Sequence, residues 1–292
     1  MAARKPGKDV FSEAEIDQLI ELFLAFDKPS PALTRGLYRL LEGYFKPTLV
    51  GVDNIPDEPT LFVGNHAMFA VDGLILMPAI YQATGRFPRG MGDNLLFQTG
   101  VGERLARQGL VLAHPRVCSA LMATGQDLVV FPGGAAEANK PSADKYTLQW
   151  KERHGFVRMA ALHGYNITPF GLVGPDEWYE QALEGRALRN SGLFRLLKRM
   201  GVIKPDFRED LLPPIPRGMF YTLLPRPQRC YLAFGEPVQV PDYSGRKRIP
   251  KALQADIRAQ TAASVEQLIA EMLQLRARNK PGGSALRRYL TR

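Results

Sequence analysis

From residue 60 onward the chain alternates short apolar runs rich in β-branched and aromatic residues with stretches of helical periodicity, and this alternation limits the possible folds most. Thr60 to Val63, Leu110 to Ala113, Leu128 to Phe131, Ile167 to Val173 and Tyr231 to Phe234 read as strands. Several are apolar throughout, as strands buried on both faces of a parallel sheet are. Between them, Gly73 to Ala83, Arg116 to Thr124 and Arg153 to His163 read as helices. Strand, helix, strand in repetition predicts an α/β fold: a mostly parallel central sheet flanked by helices. At 292 residues and 45% apolar the chain is neither disordered nor fibrous. A single fold of this size buries about 75% of the surface its unfolded chain exposes.

Two apolar periodic stretches precede that pattern, Phe11 to Phe26 and Ala32 to Phe45, split by Lys28-Pro29-Ser30-Pro31. Helices do not cross such a turn, so residues 1–47 are expected to form an amphipathic helical hairpin ahead of an α/β domain over 48–292. Ser12 is a candidate N-cap with Glu15 as its capping-box partner. Within the domain, 180–207 reads as a basic amphipathic insertion, with Leu188, Phe194, Leu197 and Ile203 set among Arg186, Arg189, Arg195, Lys198 and Lys204. A last helix, about Lys251 to Arg278, leads into Lys280, Arg287, Arg288 and Arg292. For the hairpin and the insertion two readings stand: packing on a core or solvent, and contact with a membrane surface.

Lys and Arg number 38 against 29 Asp and Glu, giving a net charge of +9. That balance suits nucleic acid, an anionic membrane face or a phosphorylated ligand. Aromatic residues fall at core positions rather than along a basic stripe, which argues against nucleic acid. No stretch approaches the roughly 18 to 20 apolar residues of a membrane span; Gly73 to Gly85 is interrupted by Pro78 and Gln82. The N-terminus has acidic residues where a signal peptide has its apolar core. Two distant cysteines, Cys118 and Cys230, fit a reducing compartment and form no metal knuckle. No metal site is expected. Phosphate-binding and dinucleotide-binding glycine runs and the hydrolase Gly-x-Ser-x-Gly elbow are missing.

Two segments carry chemistry. The first, Gly64-Asn65-His66, follows a strand, with Asp72 six positions beyond the histidine. A neutral imidazole at a strand's carboxyl end can take a hydroxyl proton, and a carboxylate can hold its other nitrogen. On an ideal helix the two side chains would point roughly 240° apart, so they meet only if the segment bends. The alternative is a capping Asp72 beside a core His66. The second segment is Phe131-Pro132-Gly133-Gly134-Ala135-Ala136-Glu137. Two glycines allow close backbone approach and can aim N–H groups at an oxyanion; Glu137 can orient a partner or bind an acceptor hydroxyl.

Taken in order, Gly64-Asn65-His66 with Asp72, Gly92-Asp93-Asn94-Leu95-Leu96-Phe97, the diglycine block and Ile167-Thr168-Pro169-Phe170-Gly171 resemble the four blocks of the glycerolipid and lysophospholipid acyltransferase family. The likeness spans roughly 48 to 240, and the Gly-Gly-Ala-Ala-Glu run with Lys145-Tyr146 is nearer the branch that esterifies diacylglycerol or long-chain alcohols. It implies O-acyl transfer from an acyl-CoA or acyl carrier protein thioester to a lipid hydroxyl, with no cofactor, by an enzyme peripheral on the cytoplasmic face of a membrane. It implies His66 as general base with Asp72 as its partner. Asn65, Gly92, Asp93, Phe131, Pro132, Gly133, Gly134, Glu137, Lys145 and Arg158 become candidate substrate contacts. Two departures stand out. Five residues rather than the family's usual four separate His66 from Asp72, and the arginine that usually follows the diglycine position to hold an acceptor phosphate is missing. A phosphate site favours a guanidinium, so a neutral acceptor is expected unless Lys140, Lys145 or Arg158 substitutes. A non-catalytic lipid-binding protein of the same fold is the alternative. Cys118, His114, His154 and His163 are read as structural.

Overall fold

A computed structural model describes residues 10–98, 101–183, 191–200, 214–246, 248–279 and 290. Its strands are β1 (Thr48–Val50), β2 (Leu61–Gly64), β3 (Arg89–Gly92), β4 (Leu110–Leu112), β5 (Leu128–Val130), β6 (Ile167–Val173), β7 (Glu180–Leu183), β8 (Ile215–Arg217) and β9 (Tyr231–Phe234). Seven form one sheet in the order β1-β9-β6-β2-β5-β3-β4, and β7 and β8 form a separate antiparallel pair. Every neighbouring pair in the large sheet is parallel except β6 with β9. The α/β architecture expected from the alternating pattern is the one the chain adopts.

The side-chain alternation of a strand sorts the core into two layers. Leu61 and Val63 of β2 face one layer and Phe62 faces the other. The first layer is covered by α1 (Glu13–Leu24), α6 (Pro115–Ala123), α8 (Gly155–His163) and α10 (Lys251–Arg278); the second is covered by α2 (Pro31–Phe45) and α3 (Gly73–Thr84). Short helices α4 (Asn94–Gln98), α5 (Gly102–Ala106) and α7 (Gly134–Ala138) follow β3, precede β4 and follow β5.

The two helices expected at the N-terminus pack on different layers of the core. Ser12 caps α1 with the reciprocal Glu15 bond, but α1 buries Ile16 and Phe23 in the first layer while α2 buries Tyr38 and Phe45 in the second. Phe45 stacks on Trp178 with ring centroids 3.7 Å apart. Each apolar stripe is thus matched to a different face of the sheet, and the Pro29–Pro31 turn carries the chain from one to the other.

Strand β3 went unread because Arg-Gly-Met-Gly has no apolar pattern. Its Arg89 is buried, donates to the carbonyl of Phe23 at 2.9 Å, to Gln126 Oε1 at 2.9 Å and to the carbonyl of Gly109 at 3.2 Å, and lies over the Phe26 ring. Burial lowers its pKa to about 10. A cation at the carbonyl end of α1 is favourably placed, so this arginine fastens α1 to the sheet. The basic insertion opens as strand β7 rather than helix and contains α9 (Gly192–Arg199); its 184–190 and 201–207 portions, and the basic tail from Lys280, lie outside the described residues.

Phe23→Ala should lower stability by about 3–5 kcal/mol, read from urea unfolding, because the ring is fully buried and packs edge-on against Phe97. A second prediction concerns β7 and β8. Glu180 accepts from Arg226 at 2.7 Å and from Arg217, which hold its pKa down to about 2 from 4.5. A depressed carboxyl contributes stability above its unfolded pKa and loses it as pH falls through the folded one. The stability gap between wild type and Glu180→Gln should therefore close between pH 4.5 and about 2.

Candidate active site

His66 leaves the carboxyl end of β2, the middle strand of the sheet, and Asp72 is the N-cap of α3. The five residues between them do not continue a helix. Phe69 and Ala70 both adopt left-handed backbone, with φ of 59° and 54°, a region that side chains other than glycine enter at a cost of about 1–3 kcal/mol each. This double reversal absorbs the extra residue and brings His66 Nδ1 to 2.7 Å from Asp72 Oδ2. The fully buried Asp72 carboxylate also accepts the N–H of Ala67 at 2.7 Å and that of Gly73 at 2.8 Å. An ionised carboxylate only accepts, so Nδ1 carries the proton and Nε2 is left as the free lone pair. Both readings of Asp72 hold at once, since it caps α3 and holds the imidazole.

The backbone of His66 is gripped on both sides. Its N–H donates to Glu137 Oε1 at 2.8 Å, and its carbonyl accepts from Lys140 Nζ at 2.7 Å. Its ring stacks on Phe131, centroids 4.0 Å apart. Glu137 is buried, and Oε2 accepts the N–H of Gln149 at 3.2 Å. Burial raises its pKa, opposed by the His66 and Gln149 N–H groups and the charge of Lys140. Lys140 is itself buried and paired with Asp176 at 3.0 Å.

Gly133 explains how Glu137 reaches that position. A Cβ there would lie 1.9 Å from Glu137 Oε2, so the carboxylate folds back into space that any side chain at 133 would fill. The diglycine therefore serves Glu137 more than an oxyanion, and the N–H of Gly134 is already given to the carbonyl of Phe131 at 2.9 Å.

A cavity of about 1620 Å³ opens beside His66, lined by apolar side chains such as Met77, Leu96, Leu105, Leu110, Met159 and Leu162. Small-molecule pockets usually run to about 300–1,000 Å³, so this one is large enough for an extended apolar ligand. Of the candidate substrate contacts, Gly92, Asp93, Phe131, Pro132, Gly134 and Arg158 line it. Other candidates do not. Asn65 spends its side-chain amide on both backbone groups of Leu172 at 2.8 Å, joining β2 to β6. Glu137 lies behind the diglycine on backbone N–H groups. Lys145 borders a separate small pocket beside Lys140 and Asp176. Lys140 is committed to Asp176 and His66 and cannot stand in for the missing arginine. Arg153, which sequence reasoning passed over, donates to the carbonyl of Pro132 at 2.7 Å, lies 2.9 Å from where a Cβ on Gly134 would sit, and lines the cavity. Its signal is not local, being 21 residues from Pro132.

Cys118 also reaches the cavity, but burial pushes its thiol up to about 12. His163 Nε2 lies 2.9 Å from Ser119 Oγ, with no carboxylate on its ring among the described residues. His114 caps α6. No group of His, Cys, Asp and Glu suited to a metal occurs among the described residues, and no helix there is long and apolar enough to cross a membrane.

The sequence matches the diacylglycerol acyltransferase family over residues 114–259 and the acyltransferase family over 46–173. An uncharacterized protein of Mycobacterium tuberculosis is 29% identical over 248 residues, covering 83% of this chain and 66% of that protein. Phytyl ester synthase 1 of Arabidopsis thaliana is 28% identical over 77% of this chain and 34% of its own length, and 2-acylglycerol O-acyltransferase 1 of Bos taurus is 32% identical over 40% and 34%. This chain thus spans two thirds or less of these relatives. Among solved structures, the 1-acyl-sn-glycerophosphate acyltransferase PlsC of Thermotoga maritima aligns over 87% of this chain and 89% of its own, with a TM-score of 0.44 and 14% identity. By these family matches the chain belongs to the glycerolipid acyltransferase family, on its diacylglycerol acyltransferase side.

Gly133→Ala and Glu137→Ala should each orphan the N–H groups of His66 and Gln149, costing about 1–3 kcal/mol per N–H. Because both act on one carboxylate, the double variant should unfold in urea close to the worse single one rather than at their sum.

Proposed function

We propose that the protein is an O-acyltransferase that moves a fatty acyl group from a thioester to the hydroxyl of a neutral lipid alcohol. The observation that carries this is the His66–Asp72 pair at the mouth of an apolar cavity. His66 Nε2 takes the acceptor hydroxyl's proton as the oxygen attacks the thioester carbonyl. The other ring proton stays on Nδ1, donated to the Asp72 carboxylate, whose charge stabilises the imidazolium. The tetrahedral intermediate then expels the thiolate, which recovers the proton from Nε2. General-base assistance of this kind is worth about 10² to 10⁴ in rate. A covalent acyl-cysteine is disfavoured by the raised thiol of Cys118.

Two of the three cations that could replace the missing arginine support a neutral acceptor, and the third, Arg158, is assigned here to the donor. Lys140 is occupied and Lys145 faces away from the cavity, while the names of the relatives, a phytyl ester synthase and a 2-acylglycerol acyltransferase, point to uncharged alcohols for those proteins. Arg153 and Arg158 on the cavity wall are the groups best placed for phosphates of the donor, coenzyme A or acyl carrier protein.

Thiol release from palmitoyl-coenzyme A and palmitoyl-acyl carrier protein, with diacylglycerol, a long-chain alcohol and lysophosphatidate as acceptors, tests the proposal. Release should require an acceptor, favour the neutral ones, and fall about 10² to 10⁴-fold in His66→Ala. Asp72→Asn should fall comparably, with kcat affected more than KM. Equal release by His66→Ala, or release without acceptor, would overturn it.

A further inference from the structure

We infer that the loop 218–224 is a bilayer anchor that seats the cavity mouth on a lipid surface. Between β8 and β9 this loop holds Phe220, Tyr221, Leu223 and Leu224 out of the fold, the first three at 64%, 83% and 73% exposure. Phe220 and Tyr221 take left-handed backbone, φ 54° and 62°, so the exposure is held against both strain and the hydrophobic effect. Large apolar side chains grouped this way mark an interaction surface rather than scattered surface residues.

Part of the loop's backbone bonds within the loop: Gly218 N–H donates to the carbonyl of Thr222 at 2.8 Å, Met219 N–H to that of Leu224 at 2.7 Å, and Thr222 N–H to that of Met219 at 3.1 Å. The Thr222 hydroxyl donates to Met219 O and accepts the N–H of Leu224. The carbonyl of Leu223 accepts from Tyr179 Oη at 2.9 Å. An interfacial anchor buries apolar side chains only about 5–10 Å into the headgroup and acyl boundary, so the backbone of this loop stays at the polar interface while Phe220 and Leu223 reach the acyl chains.

Position supplies the second argument. Tyr179 meets Phe69 edge-on at 5.8 Å, and half-exposed Phe69 lines the cavity between His66 and Asp72. Tyr44 of α2 fixes the other side of the loop's base through the carbonyl of Pro225 at 2.6 Å. On the same face of α2 stand the exposed Leu33, Leu37 and Leu40, the first two on the cavity wall. Loop, tyrosine pair and helix stripe therefore form one apolar border, and a protein of net charge +9 meets anionic headgroups favourably. This inference rests on the lipid-acyltransfer reading for its choice of occupant.

The test uses the whole chain with vesicles of equimolar phosphatidylglycerol and phosphatidylcholine. A Phe220→Trp variant should shift its emission to the blue on the vesicles and be quenched by bromine-labelled acyl chains. Phe220→Ser combined with Leu223→Ser should weaken vesicle binding about tenfold or more. It should also lose activity on vesicle-borne acceptor while keeping activity on detergent-dispersed acceptor. Vesicle binding without quenching at position 220, no vesicle binding at all, or a wild-type dimer in sedimentation that the double variant converts to monomer would overturn the inference. Quenching without acyl transfer to any acceptor would instead sink the proposed activity and leave the anchor standing.

Discussion

An imidazole and a carboxylate six positions apart meet in this protein only because the chain between them reverses its handedness twice. Without left-handed Phe69 and Ala70, His66 would face away from Asp72 and the histidine would be one more residue after a strand. Much of the surrounding structure holds that reversal in place. Asp72 caps α3 and takes two backbone N–H groups, Asn65 pins the end of β2 to β6, and Glu137 and Lys140 hold the N–H and carbonyl of His66. Strained backbone persists where its surroundings over-determine it, and here Asp72 does so by accepting the N–H groups of Ala67 and Gly73 on either side of the turn.

That arrangement divides the labour of the diglycine block. Read locally, two glycines after a strand suggest N–H groups offered to a ligand. In the fold, Gly133 makes room for a carboxylate that comes back from the next helical turn, and the cavity-facing part of the block is its outer wall, Phe131, Pro132 and Gly134, with Arg153 laid against it. Glu137 thus acts on His66 through the backbone. Its raised pKa reflects the burial that this position requires.

The cavity and the apolar border belong to the same design. A large, mainly apolar volume at the carboxyl ends of parallel strands is where an α/β sheet places ligands, and helices α2 and α3 with the Phe69 turn bring its mouth to the protein surface. On the inferred bilayer seat, an acceptor dissolved in the bilayer would reach His66 without crossing water.

Sequence alone determined what depends on local spacing. Helix and strand periodicities gave the α/β class, β6 and β9 with their observed limits, and α10 from Lys251 to Arg278; Ser12 and Glu15 marked the start of α1. The ordered blocks around His66, Gly92, Phe131 and Pro169 identified the family, since residue types at a strand's end persist in the primary structure. Tertiary structure decided everything that joins distant residues. It sent α1 and α2 to opposite faces of the sheet, made a strand of Arg89–Gly92, turned Asn65 and Glu137 inward, engaged Lys140 with Asp176, and set Arg153 beside a turn 21 residues earlier. The physical reason is common to all five. Periodicity reports which face of an element is apolar, but not which other element will cover it, and a hydrogen bond between residues 71 apart leaves no pattern in the chain between them.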